Sequence, residues 1–101
     1  MNKRNIDAIC SAVCEEFCIT PETLRSGSKR QVHTWPRAMA IYIAYSRGEL
    51  TEDIAEYFGM SRQMAAYYIR RGGGNVSRNA GDRCRYERII DRLENNESQT
   101  I

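Results

Sequence analysis

Arginine and glutamine side chains stand side by side at positions 62 and 63, directly after a serine at position 61. Arginine can hydrogen-bond to two atoms of guanine, and glutamine can do the same with adenine, so these residue types suit the reading of base edges. A serine in this position caps a helix by accepting a bond from a backbone N–H group. We therefore predict a helix over residues 61–71 whose first turn faces the major groove of DNA.

Helical spacing predicts which side of this segment faces outward. Ala65 and Tyr68 are three residues apart, and we expect both to pack inward. Residues of the remaining face are predicted to contact bases, namely Ser61, Arg62, Gln63 and Ala66. Longer side chains at the flank of this face are predicted to reach phosphates, namely Tyr67, Arg70 and Arg71.

The segment before position 61 predicts the first half of a helix-turn-helix. Thr51 is expected to cap a helix whose inner face carries Ile54, Ala55 and Phe58. Gly59 can adopt the positive φ of a tight turn, and a small residue at Ala55 leaves room for the second helix. Two short helices joined by a turn that contains glycine are typical of this motif.

Charge is distributed unevenly along the chain, although the formal net charge is only +2. Between residues 57 and 88 there are seven arginines and two acids. A basic segment over residues 25–37 carries Arg25, Lys29, Arg30 and Arg37 and no acidic residue between them. Such segregation is typical of a DNA-facing side, and solvated helix faces remain the alternative.

Apolar periodicity predicts helices and no strand over the rest of the chain. An amphipathic helix is expected over residues 5–18, and Thr20 and Pro21 are expected to start a short helix that ends before Ser26. A further helix should open at residues 34–37, continue through an apolar body and end near Gly48. The fold class is therefore predicted as all-α, with about five to six helices.

The second half of the chain is predicted to add a linker and one more helix to a DNA-binding domain over residues 1–71. Gly72, Gly73 and Gly74 predict a flexible linker over residues 72–81. Residues 82–95 are expected to pack on the same domain or to form a homodimer contact, and residues 96–101 to be a frayed tail. The side chains available for either contact are Tyr86, Ile89, Ile90 and Leu93, and the arginines available for a phosphate-binding arm are Arg78, Arg83 and Arg85.

Residue types that support catalysis or metal binding are sparse. Cys10, Cys14 and Cys18 are spaced by four, which we interpret as small buried side chains of a helix in a reducing cytoplasm. His33 is the single histidine, and neither a CxxC pair nor a GxxxxGK[ST] phosphate loop occurs. We therefore expect no metal, no cofactor and no enzymatic activity. Trp35 is expected at the edge of the core, and a wedge against DNA remains the alternative.

Several segments carry a family resemblance through their order along the chain. They are Ala12-Val13-Cys14-Glu15-Glu16-Phe17, Ile19-Thr20-Pro21-Glu22-Thr23-Leu24, Ser26-Gly27-Ser28-Lys29-Arg30, Pro36-Arg37-Ala38-Met39-Ala40-Ile41-Tyr42 and Ile54-Ala55-Glu56-Tyr57-Phe58-Gly59. In this order they resemble the C-terminal DNA-binding domain of the bacterial replication initiator DnaA. The resemblance implies an all-α fold related to the Trp repressor, with Lys29, Arg30 and Arg37 on the DNA backbone or minor groove.

The resemblance fails at the start of the reading helix. The family has an Asp-His-Thr-Thr run there, whereas this chain has Ser61-Arg62-Gln63-Met64-Ala65. These observations predict a small regulator that binds double-stranded DNA, encoded by a phage or mobile element and located at the nucleoid. The alternative is an interaction module or accessory factor that binds a replication or transcription protein.

Overall fold

The computed structural model describes residues 3–99, with side chains for residues 5–95. Over this part of the chain the backbone forms six α-helices and no strand, which confirms the all-α prediction. The helices are α1 (Lys3–Phe17), α2 (Pro21–Arg25), α3 (Gln31–Ser46), α4 (Thr51–Phe58), α5 (Arg62–Arg78) and α6 (Ala80–Gln99). The predicted frayed tail is helical to Gln99, and its last two residues lie outside the described part.

Helix α3 lies at the centre of the molecule and packs against α1, α2, α4 and α5. Its residues 36–41, 43 and 44 are buried, because apolar side chains occupy almost every side of the helix. Ile6, Ile9 and Val13 of α1 close the core from one side, at the period of 3.6 residues that the sequence shows.

Three helices end in the same left-handed backbone conformation. Cys18, Gly48 and Gly59 have φ values of 57°, 99° and 65°. A backbone N–H group just beyond each bonds back into the helix that it follows, as Met60 N does to Ala55 O at 2.9 Å. The turns predicted at Gly48 and Gly59 are confirmed, and the exposed Cys18 is a turn residue rather than a third buried cysteine of α1.

Helix α3 begins earlier than the sequence predicts. It starts at Gln31 rather than at residues 34–37, so Pro36 lies inside the helix. The amides of His33 and Thr34 both donate to Arg30 O at 2.9 Å, and the His33 ring bonds to Ser28 Oγ at 2.8 Å. These bonds stabilise the added turn. Helix α4 likewise starts at Thr51 itself, and Thr51 is not the N-cap.

The glycine run at positions 72–74 does not form the predicted linker. Helix α5 continues through it to Arg78, and only Asn79 separates α5 from α6. A Cβ atom on Gly72 would lie 2.5 Å from Ala38 O and 2.6 Å from Tyr42 Cβ. Because glycine lets α5 cross α3 this closely, packing between the two helices compensates for its poor helix propensity, about 1 kcal/mol per residue.

Helix α6 packs on α1 and α5 of its own chain. Ile89 is 0% exposed and Leu93 is 3% exposed, so a homodimer contact through these two side chains is wrong. Tyr86 and Ile90 are half-buried against the same core. The Trp35 indole donates to Asp82 Oδ1 at 2.9 Å, which places the ring between α3 and α6. This position agrees with packing at the edge of the core and not with a wedge against DNA.

Among the described residues, no helix is both long and apolar enough to cross a membrane. Nor does that part of the chain bring together a group of His, Cys, Asp or Glu side chains that could hold a metal ion.

Candidate nucleic-acid interface

Helices α4 and α5 form the two halves of a helix-turn-helix. Ala55 is 4% exposed where α4 meets α5, and Ala65 is fully buried on the facing side. The side chain of Ser61 accepts a bond of 3.1 Å from Met64 N, which satisfies an N–H group that would otherwise lack a helical partner. The first turn of α5 is therefore capped, and its side chains project beyond the domain.

The predicted reading residues lie on this turn, although they do not all point the same way. Ser61, Arg62 and Gln63 are exposed, whereas Ala66 is half-buried. The Arg62 guanidinium lies 3.8 Å from the Glu52 carboxylate on α4, and both side chains are well exposed. Exposed ion pairs of this kind contribute little, about 0–1 kcal/mol, so Arg62 is free to exchange Glu52 for another partner.

An open groove of about 760 Å³ lies between the first turns of α5 and the start of α3. Lys29, which precedes α3, and Gln63 of α5 both line it. The complete lining is Lys29, Gln31, Thr34, Ser61, Gln63, Met64, Tyr67, Tyr68 and Arg71. The structure thus brings together three predicted backbone contacts (Lys29, Tyr67 and Arg71) and two predicted readers (Ser61 and Gln63) along a single groove, called the reading groove below.

Four residues of the reading groove are not among the predicted DNA contacts, namely Gln31, Thr34, Met64 and Tyr68. Met64 is an exposed large hydrophobic residue, with 44% of its surface accessible, and an apolar side chain there can contact a thymine methyl group. Its spacing of three from Tyr67 and seven from Arg71 places it on their side of the helix and could have identified it. The sequence indicates Gln31 only as part of a basic loop or helix entry, and Thr34 only as part of a helix start, so neither is predicted to contact DNA. Tyr68 is predicted to pack inward, and it is buried.

Tyr67 and Arg71 form a pair on the exposed side of α5. Tyr67 is 44% exposed, and its hydroxyl accepts a bond of 3.1 Å from the Arg71 guanidinium. The bond holds both side chains along the helix, one turn apart. Arg70 is also exposed, so the phosphate-contacting residues predicted on α5 are all accessible.

The basic loop, residues 26–30, is ordered by its own hydrogen bonds. Ser28 Oγ accepts from Arg30 N at 3.2 Å, and Ser26 Oγ accepts from Ser28 N at 3.4 Å. These short serine bonds fold the loop inward at residues 26 and 28, and Lys29 and Arg30 remain exposed. Both positive side chains are accessible to a phosphate.

Arg37, by contrast, does not face solvent, and its predicted contact with the DNA backbone is wrong for this structure. Only 4% of its surface is exposed. Its guanidinium donates to Leu24 O at 2.8 Å, Ser26 O at 2.6 Å and Ser28 O at 3.0 Å, and to Tyr68 Oη at 3.3 Å. The arginine is therefore engaged inside the domain, beneath the basic loop.

The predicted phosphate-binding arm is also largely committed to internal contacts. Arg83 donates to Val76 O and Ser77 O at the end of α5, at 3.3 Å and 2.7 Å. The Arg85 guanidinium lies over the Phe17 ring, 4.9 Å from its centroid. Of the three arginines, Arg78 alone is exposed at the end of α5 without a hydrogen bond or ring contact of this kind.

Comparison with known families agrees with this geometry. Residues 6–71 match the family model described as bacterial dnaA protein helix-turn-helix, which is about two thirds of the chain. The match includes α1 to α4 and the first half of α5, and it ends at the last residue that lines the reading groove. No curated protein matches the chain.

Proposed function

Because the chain belongs to the bacterial DnaA helix-turn-helix family, a family of DNA-binding modules, we propose that it is a sequence-specific regulator of transcription that binds double-stranded DNA. The observation that carries the proposal is the reading groove, which is lined both by the capped first turn of α5 and by Lys29 of the basic loop. A helix N-terminus and a basic loop in this arrangement match the division between base reading and backbone positioning.

In the proposed complex the first turn of α5 lies in the major groove. Gln63 pairs with adenine and Arg62 leaves Glu52 to pair with guanine, each pair discriminating by about 1–3 kcal/mol. Met64 and Ala66 contact thymine methyl groups. Phosphates on either side of the DNA major groove are neutralised or hydrogen-bonded by Lys29, Arg30, Tyr67, Arg70 and Arg71.

The target sequence should differ from the family's origin box. The residues at the start of α5 are Ser61, Arg62, Gln63 and Met64, in place of the Asp-His-Thr-Thr run that the family has there. Side chains with other hydrogen-bonding groups select other bases, since each base pair presents its own donors and acceptors in the major groove. A regulator at the nucleoid of a bacterium or of a phage-infected cell fits this difference.

Selection of bound duplexes from a random pool, followed by titration across salt, tests the proposal. The wild type should bind one sequence family, with an affinity for the selected duplex that falls steeply between about 50 and 200 mM salt. Gln63→Ala should reduce the preference for the selected duplex over random DNA. Lys29→Ala should weaken binding to the selected duplex and to random DNA alike. It should also lower the salt slope by about 0.9, because one phosphate contact is lost.

Arg78→Ala is the matched control for the loss of one positive charge. Arg78 lies about 24 Å along the helix from Arg62, outside the reading groove. If Arg78→Ala and Lys29→Ala weakened binding equally on every duplex, the reading groove would not account for the loss, and overall surface charge or the predicted arm at Arg78 would. A wild type that bound no duplex at low salt would contradict the proposal and favour a module that binds a replication or transcription protein.

A further inference from the structure

We infer that Arg37 contributes to DNA binding as a positioning residue, by holding the basic loop and α5 in one fixed relation without contacting DNA. The effect on DNA binding rests on the proposed function. The structural link itself rests on the hydrogen bonds of Arg37. It assigns to Arg37 a different role from the backbone contact that the family resemblance implies.

The acceptors around Arg37 come from two parts of the fold, and each part contributes residues to the reading groove. Three are backbone carbonyls at the end of α2 and in the basic loop, those of Leu24, Ser26 and Ser28. The fourth is the hydroxyl of Tyr68, a buried residue of α5. Since α3 provides the arginine, one side chain connects α3 and the basic loop that precedes it to α5, which is separate in sequence.

The geometry of guanidinium makes this connection specific. The group is planar and carries five N–H donors in fixed directions. Four contacts of 2.6–3.3 Å use four of these five donors, and the guanidinium carbon lies 5.9 Å from the centre of the Tyr68 ring. A lysine would retain the charge but could not reach carbonyls in several directions with a rigid plane.

The carbonyl groups that bond to Arg37 also affect the exposed side of the basic loop. Ser26 O and Ser28 O point to Arg37, and the intervening bonds from Ser28 N and Arg30 N to serine hydroxyls fix the loop between them. The exposed side chain of Lys29 follows directly from Ser28. On α5, Tyr68 and its neighbour Tyr67 both line the reading groove. Arg37 therefore fixes the separation between a phosphate-contacting loop and a base-reading helix.

The decisive variants are Tyr68→Phe, which removes the hydroxyl and retains the ring, and Arg37→Lys, which retains the charge. Tyr45→Phe is the matched control, because Tyr45 is an exposed tyrosine of α3 outside the reading groove. Hydrogen exchange of the amides in residues 26–30 should accelerate in both variants relative to the amides of α1. Tyr45→Phe should leave the exchange of both regions unchanged.

DNA titration separates positioning from contact. Tyr68→Phe and Arg37→Lys should each lower the affinity for the selected duplex by about threefold to tenfold, because a misplaced loop and helix no longer fit one site together. Their salt slopes should equal that of the wild type, whereas Lys29→Ala lowers the slope. Tyr68→Phe should also reduce the ratio between selected and random duplex affinities.

Two results would overturn the inference. If Arg37→Gln lowered the salt slope by about 0.9, as we expect of Lys29→Ala, then Arg37 would contact a phosphate. Loop exchange unchanged in both Arg37→Lys and Tyr68→Phe would show that no link exists. If the wild type bound no duplex at low salt, the proposed function would fail, and the exchange measurement alone would still decide whether Arg37 ties the loop to α5.

Discussion

The indole of Trp35 donates a hydrogen bond of 2.9 Å to the carboxylate of Asp82, and so connects α3 to the first turn of α6. The two residues are 47 positions apart. Asp82 is 5% exposed, and its second oxygen has no hydrogen-bond partner among the described residues. The bond therefore joins α6, which follows the family-matched segment, to the central helix α3. The buried carboxylate of Asp82 depends on the Trp35 indole as its donor.

Trp35→Phe should lower the free energy of unfolding by about 1–3 kcal/mol, because it leaves a buried acceptor without its donor. Urea unfolding followed by circular dichroism measures the effect, since the variant removes the chain's single tryptophan. Asp82→Ala added to Trp35→Phe should recover part of the loss, as removal of both partners is less costly than removal of one. Equal losses in the single and double variants would contradict the bond.

Gly72→Ala and Gly74→Ala should change stability in opposite directions. An added Cβ at Gly72 meets backbone and side-chain atoms of α3 at 2.5–2.6 Å, and overpacking of this kind costs about 1–3 kcal/mol. An added Cβ at Gly74 meets nothing within 4 Å, so alanine there should stabilise the helix by up to about 1 kcal/mol. Chemical unfolding of the two variants compares the same change in the same helix. Stabilisation by both would show that α5 does not approach α3 this closely.

Stability should fall in acid partly through Glu16. Bonds of 2.6 Å and 2.9 Å from Arg88 to Glu16 Oε2 hold the pKa of Glu16 below its usual value. A carboxylate whose pKa is lower in the folded state stabilises the fold above its unfolded pKa, and this contribution is lost as pH falls through the folded pKa. Glu16→Gln should therefore lose less stability than the wild type between about pH 7 and pH 3.

The acid dependence is measured as the urea midpoint at the two pH values. Glu87→Gln is the matched control, because Glu87 is an exposed residue of the same helix as Arg88. A control variant with the same reduced acid dependence as Glu16→Gln would assign the effect to overall charge rather than to the Arg88 pair.

The four cysteines should divide into two reactive classes. Cys18 and Cys84 are exposed, whereas Cys10 and Cys14 are buried. Burial raises the pKa of the Cys10 thiol to about 12 and raises that of Cys14 as well. Since the thiolate is the reacting form, a disulfide reagent at neutral pH should modify Cys18 and Cys84 quickly and the other two only on unfolding. Rapid labelling of Cys10 in the native protein would contradict its burial.

Short-range chemistry accounts for what the sequence could predict. The Ser61 cap, the left-handed Gly59 and the apolar period of α3 depend on neighbouring residues alone, and all three are found in the structure. The exposed state of Lys29 and Gln63 follows from the same local patterns, and their roles at DNA remain predictions.

Long-range packing accounts for what the sequence could not predict. Gly72 is a helix breaker by propensity, and only its contact with Ala38, 34 positions earlier in the printed sequence, makes glycine the suitable residue. Arg37 is charged and follows a proline, which is typical of an exposed helix start, yet inward carbonyls from a separate loop bury it. Neither partner can be identified from the residues next to it.

The burial of Ile89 and Leu93 makes the cooperative folding unit longer than the recognisable family segment. A fragment that stopped at Arg71 would keep all the groove-lining residues. It would lose Ile89 and Leu93, the buried side chains of α6, which packs on α1. The core side chains that α6 covers would then give that fragment an apolar surface, the kind that favours self-association. The minimal autonomous binding unit is therefore set by the hydrophobic core, and it extends at least to residue 93.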